Sequence, residues 1–216
     1  MLRKYFLIIS ALFLVPFAAH AQETEERTPA PASVPPEENI LYLDLSTGGR
    51  VAIQLFAELA PNHVERIKTL TRQGFYDGII FHRVIDGFMA QTGDPTGTGT
   101  GGSELPDLKA EFGKFPHMRG VISMARSDSE DSANSQFFIV FYPRFSLDGK
   151  YTAFGRVTSG MEYVDAIARG EPPLNPSRIL QASIAADRKP PVLPSARPSV
   201  SEAPISVDDL NAPINP

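Results

Sequence analysis

The sequence predicts a mainly β fold with two helices, and two observations carry that prediction. Short strand-like runs recur along the middle of the chain, separated by turn residues. Two stretches shift to helical spacing. Cysteine is absent, so packing must hold the fold without disulfides. About eight strands and two helices within residues 40–188 suggest a closed sheet or a sandwich, and with two helices to hand a barrel with its ends covered is the natural form, though pattern alone stops at β-rich with two helices. That arrangement hides strand edges and fills both openings.

The first segment is a leader. "MLRKYFLIISALFLVPFAAHAQ" joins Arg3 and Lys4 to a short apolar run and closes on Ala19-His20-Ala21, a small-x-small site. Residues 1–21 are expected to be a secretory signal peptide cut after Ala21. The run is short for a membrane span and Pro16 interrupts it, so no membrane anchor is expected once the leader is removed. The mature protein is expected in the periplasm or outside the cell. Residues 22–39 read as a Pro-rich linker and residues 189–216 as a Pro-rich disordered tail, because neither carries a sustained apolar period that could offset its ordering entropy.

Within residues 40–188, "ILYLDLSTGGRVAIQLF" has two alternating runs around Thr47-Gly48-Gly49, a hairpin signal. "APNHVERIKTLTRQG" is helical: Pro61 suits the first turn, Val64, Ile67 and Leu70 share a face, and Gly74 stands at the end. Strand-like runs follow in "IIFHRVI", "GFMAQTG", "GVISMA", "SQFFIVF", "TAFGRV" and "ILQASIAAD". The second helix is expected over "GMEYVDAIARGE", with Met161, Val164 and Ile167 or Ala168 on one side and Gly170 ending it.

Charge excludes one class of partner. Without the leader, 18 basic residues stand against 25 acidic ones, a balance unsuited to replacing the counterions of a nucleic acid. His63 and His117 lack a paired ligand at metal spacing and read as surface residues. The run Gly97 to Gly102 satisfies G-x-G-x-x-G, but "SELPDL" follows where a helix should open, so nucleotide binding is not expected. "RSDSEDSAN" departs from a calcium loop at its third ligand and at the glycine, and reads as a solvated loop.

The stretch "FHRVIDGFMAQTGDPTGTGTGG", residues 81–102, sets an arginine among apolar residues without a nucleophile. There the chain resembles the cyclophilin family of peptidyl-prolyl cis–trans isomerases. "GVISMAR", "NSQFFIVF" and "LDGKYTAFGRV" follow in the family's order, and "APNHVERIKTL" is similar to its first helix. The resemblance implies a closed eight-stranded barrel capped by two helices. It places the catalytic arginine at Arg83 and substrate-binding residues at Phe88, Met89, Gln91, Gly99, Ala125, Arg126, Gln136, Phe138, Leu147 and Tyr151. It implies neither cofactor nor metal. The expected partners are proline-containing unfolded or partly folded polypeptides, bound by a monomer.

Three positions depart from the family pattern. Arg126 stands where asparagine is common, Ser146 where a tryptophan often precedes "LDGK", and Tyr151 where histidine is frequent. The second bears on cyclosporin affinity more than on catalysis. His82, beside the arginine, reads as a packed, hydrogen-bonded residue, since rotation about an amide transfers no proton. The alternative function is a cyclophilin-like chaperone module that holds proline-containing segments with little isomerase activity.

Overall fold

In the computed structural model of the protein, residues 36–194 are described. The expected leader, residues 22–35 of the expected linker and residues 195–216 of the expected tail lie outside them. Every strand-like run read from the sequence coincides with one strand, the seventh strand running two residues past its run. In chain order these are β1 (Ile40–Leu45), β2 (Arg50–Leu55), β3 (Arg83–Ile85), β4 (Met89–Thr92), β5 (Val121–Met124), β6 (Phe137–Val140), β7 (Ala153–Ser159) and β8 (Ile179–Ile184). They form one antiparallel sheet in the order β3-β4-β6-β5-β7-β2-β1-β8. The expected hairpin joins β1 to β2, with Leu45 N–H donating to Gly49 O at 2.9 Å.

The sheet is open, which corrects the closed barrel expected from the sequence. β3 and β8 are its edges, and the seam between them is an eight-stranded half-barrel's gap spanned by isolated bridges, Ile80 to Arg178 and Val84 to Gly170. Between those bridges runs Glu171-Pro172-Pro173-Leu174-Asn175-Pro176-Ser177. Proline cannot donate to a ladder, so Pro172, Pro173 and Pro176 interrupt the pairing, which resumes where Phe81 N–H donates to Ser177 O at 2.8 Å.

Helix α1 (Pro61–Arg72) forms where expected. Its end is a Schellman cap: Gly74 N–H donates to Thr71 O and Phe75 N–H to Leu70 O, each at 3.0 Å, with Gly74 at φ +71°. Val64, Ile67 and Leu70 are buried against the sheet, each adding about 2 kcal/mol of hydrophobic stabilisation. Helix α2 (Met161–Asp165) is shorter than expected, ending well before Gly170. Beyond Asp165 the chain leaves helical geometry, and Gly170 instead exchanges two hydrogen bonds with Val84, 2.8 and 2.9 Å long. Covering the free edge of β3 takes precedence over extending the helix. Val164 and Ile167 are still buried, as their spacing requires.

Alternation along the strands divides the apolar residues between two clusters. On β6, Phe137 and Ile139 enter the main core, while Phe138 and Val140 point the other way and pack with Met89. The packed part of the molecule extends past residues 40–188 at both ends. A turn of 3-10 helix (Glu37–Asn39) is tied to α1 by Lys68 donating to Asn39 and Arg72 pairing with Glu38. Lys189, Pro190 and Val192 bond to the Arg50, Gln181 and Asp44 side chains. Asp44, fully buried, is held by two hydrogen bonds from Arg50, at 2.7 and 2.9 Å.

Candidate active site

Register assembles the site. Arg83 on β3 is the partner of Gln91 on β4, and Gln91 is the partner of Phe138 on β6. The three therefore lie in one row across the strands, on the same face of the sheet. That face carries the smaller apolar cluster: Met89, Phe138 and Val140 are buried, and Ile85, Phe88, Ala125, Leu147 and Tyr151 pack on them. Phe88, Met89, Ala125, Phe138, Leu147 and Tyr151 are thus brought together in one cluster. Met89, with 1% of its surface exposed, is floor and not wall.

Polar residues border this cluster. Gln91 Nε2 donates to Gln136 Oε1 at 2.8 Å, and Gln136 Nε2 donates to Gly99 O at 3.1 Å and Gly101 O at 2.7 Å. The buried carboxylate of Asp94 holds the same glycine run from below, accepting from the main-chain N–H groups of Thr96, Gly99 and Gly101 and from Thr96 Oγ1. Burial alone would push its pKa up, but those four donors outweigh it and hold it at about 2. A groove of about 560 Å³ runs past Gln91, residues 99–103, Ala125, Arg126 and Gln136. A second of about 500 Å³ adjoins Arg83, Gln91, Gly99 and Glu171. Arg83 projects into this second space half-exposed, and Nε donates to Glu171 Oε2 at 2.7 Å. Among the described residues its two terminal nitrogens donate to no protein acceptor.

The family model described as "Cyclophilin type peptidyl-prolyl cis-trans isomerase/CLD" matches residues 42–184. The chain belongs to this family. It is a cyclophilin-type peptidyl-prolyl cis–trans isomerase by that match and by its relatives. A "Probable peptidyl-prolyl cis-trans isomerase" from Brucella suis is 48% identical over 174 residues, covering 73% of this chain and 88% of that protein. "Peptidyl-prolyl cis-trans isomerase B" of Bacillus subtilis is 43% identical over 132 residues, covering 60% and 91%. Among solved structures, the cyclophilin AquaCyp293 from Hirschia baltica superposes with a TM-score of 0.66 at 29% identity, covering 72% of this chain and 77% of that one. A Cryptosporidium parvum cyclophilin, whose structure was determined in the presence of the dipeptide Ala-Pro, gives a TM-score of 0.63 at 28% identity, covering 67% and 98%.

Two of the three residues by which this cyclophilin departs from its family, Arg126 and Tyr151, have structural partners. Arg126 lies beyond the end of β5, so its main chain falls outside the sheet ladder. Its side chain donates to the carbonyls of Lys150, Ser127 and Asp128 and stacks on Tyr151. Tyr151 is edge-on to Phe138. Phe88 sits under the guanidinium of Arg144, 4.8 Å from its centroid.

The histidines differ from the sequence reading. His63 and His117 are buried, not at the surface. His63 Nδ1 pairs with Glu111 at 2.6 Å, and burial pushes its pKa down. His117 bridges Asp148 at 2.7 Å and the Ser123 hydroxyl at 2.8 Å. This Ser–His–Asp chain is closed to substrate, because Ser123 and His117 are 0% and 1% exposed. It fastens the segment after Leu147 to β5. His82 is packed as expected but makes no hydrogen bond among the described residues; burial pushes its pKa down. Glu171 is the site residue the sequence reading missed. It closes the stretch expected to be the second helix, and no local pattern links it to Arg83.

Proposed function

We propose that this isomerase is an exported form that turns X-Pro bonds in unfolded or partly folded polypeptides outside the cytoplasm, with Arg83 as the catalytic donor. Rotation breaks no covalent bond. Its barrier, about 18–20 kcal/mol, is the loss of C–N conjugation. Midway, the prolyl nitrogen becomes pyramidal and regains a lone pair that the planar amide lacks. A donor aimed at that nitrogen binds the transition state and not the ground state, which is the condition for catalysis. Arginine is a charged, forked donor suited to this.

The observation that carries the reading is the row Arg83–Gln91–Phe138 beside the apolar cluster. A proline ring held by Phe138, Leu147 and Tyr151 over Met89 would place its amide toward Gln91 and the unengaged nitrogens of Arg83. One charged hydrogen bond contributes about 1.5–3 kcal/mol. A rate gain of about 10⁵ needs roughly 7 kcal/mol, so the ring's immobilisation and the dry apolar wall supply the rest. The Ala-Pro dipeptide used with the Cryptosporidium parvum relative supports a proline-containing ligand here. The basic, apolar and small-x-small order of residues 1–21 supports export.

Cis–trans exchange of an Ala-Pro peptide, measured by NMR line shape, tests the assignment. Arg83→Ala should slow catalysed exchange at least about 100-fold, about 2.7 kcal/mol, with unchanged melting. Equal exchange in the variant would reject Arg83 as the donor.

A further inference from the structure

Arg83 carries the reaction only if its guanidinium is aimed, and an arginine on an exposed edge strand has many rotamers to lose. Three observations converge on what aims it. Glu171 Oε2 accepts from Nε at 2.7 Å, while neither terminal nitrogen is engaged among the described residues. The backbone carrying Glu171 is not free to drift, because the preceding residue, Gly170, exchanges hydrogen bonds with Val84 at 2.8 and 2.9 Å. Val84 is the immediate neighbour of Arg83, so carboxylate and guanidinium spring from two segments bolted together one residue away from each. Finally, Arg83, Glu171 and Gln91 line the same groove.

We propose that Glu171 is a positioning residue for the catalytic guanidinium, an inference that rests on Arg83 being the donor. By taking Nε it fixes the plane of the fork and leaves both terminal N–H groups directed away from the pair, toward the bound amide. It does not touch the reacting atoms. The effect belongs in turnover and not in binding, since peptide affinity comes from the apolar cluster and the glutamines.

The experiment is a double-mutant cycle on the mature protein, with kcat and KM from the proline-peptide assay and melting temperature recorded for each variant. An exposed ion pair adds little to stability, so Glu171→Ala should melt as the wild type does. Its kcat should fall about threefold to tenfold, the cost of ordering one long side chain, with KM unchanged. Glu171→Gln, which keeps an oxygen acceptor for Nε, should stay within about twofold of wild type by the same reasoning. In an Arg83→Ala background, Glu171→Ala should change nothing further. Unchanged kcat in Glu171→Ala, an equal loss in the Arg83→Ala background, or Glu171→Gln as slow as Glu171→Ala would each overturn the positioning role while leaving Arg83 as the donor. Full activity of Arg83→Ala itself would overturn both.

Discussion

The Arg126 guanidinium lies over the Tyr151 ring, 4.8 Å from its centroid, and Tyr151 stands edge-on to Phe138 with centroids 5.7 Å apart. Charge, ring and ring form one stack from the rim to the smaller apolar cluster. The cation–π contact contributes about 0.5–1 kcal/mol and the edge contact about 0.5–1.5 kcal/mol. Tyr151→Ala removes both, so KM for a proline peptide should rise about fivefold or more with kcat little changed. Tyr151→Phe keeps both faces and should behave as wild type. A peptide titration of the exchange rate checks this; an unchanged KM in Tyr151→Ala would remove the stack from the account of binding.

His117 holds the pocket segment from beneath. Truncating it strands the buried Ser123 hydroxyl and leaves Asp148 only the main-chain N–H of residue 117; burial would raise the Asp148 pKa, but His117's side-chain and main-chain hydrogen bonds hold it down. His117→Ala should cost about 2–4 kcal/mol of stability, the sum of an unsatisfied buried group and a lost charged hydrogen bond. Chemical denaturation measures it, and a loss below about 1 kcal/mol would show the bridge to be incidental.

Gly93 joins β4 to the glycine run at φ +86°, and a Cβ there would lie 2.4 Å from Ser135 O. Gly93→Ala combines left-handed strain of about 1–2 kcal/mol with overpacking of about 1–3 kcal/mol. Melting should fall by roughly 5–10 °C or more. Gly87→Ala, at φ +66° with no neighbour within 4 Å, carries the strain alone and should fall by less. Equal shifts for the two would show that the close approach to Ser135 is not felt.

Asp94 sets a pH window. Its folded pKa, about 2, lies below the usual 3.8, so its four hydrogen bonds stabilise the fold fully above about pH 4. As pH falls toward 2 the carboxylate protonates and that contribution is lost. Asp94→Asn should be less stable than wild type at neutral pH, and the gap should narrow between about pH 4 and pH 2. Melting curves across that range check it. A gap independent of pH would mean that ionised Asp94 does not organise the glycine run.

Much of the site was legible because its residues sit in contiguous motif blocks: Arg83 through Gln91 in one, Gln136 with Phe138 in another, Leu147 with Tyr151 in a third. The strand register then does the rest, since Arg83, Gln91 and Phe138 are bound to be neighbours once β3, β4 and β6 pair. Glu171 was not legible. It reaches Arg83 across 88 positions of chain, from the start of a loop with three prolines that carries no motif. His63 and His117 were misjudged for a related reason: their partners, Glu111 and Asp148, lie 48 and 31 positions away.

From the amino-acid order alone came the eight strands, helix α1, its glycine cap and the family of the chemistry. These depend on residues within a few positions of one another, where alternation, helical spacing and turn chemistry act directly. The tertiary structure alone decided that the sheet stays open, that α2 stops at Asp165, and which side of β6 faces the smaller apolar cluster. Each of these is settled by contacts between distant segments competing for the same edge, carboxylate or cavity, and local propensity carries no record of that competition.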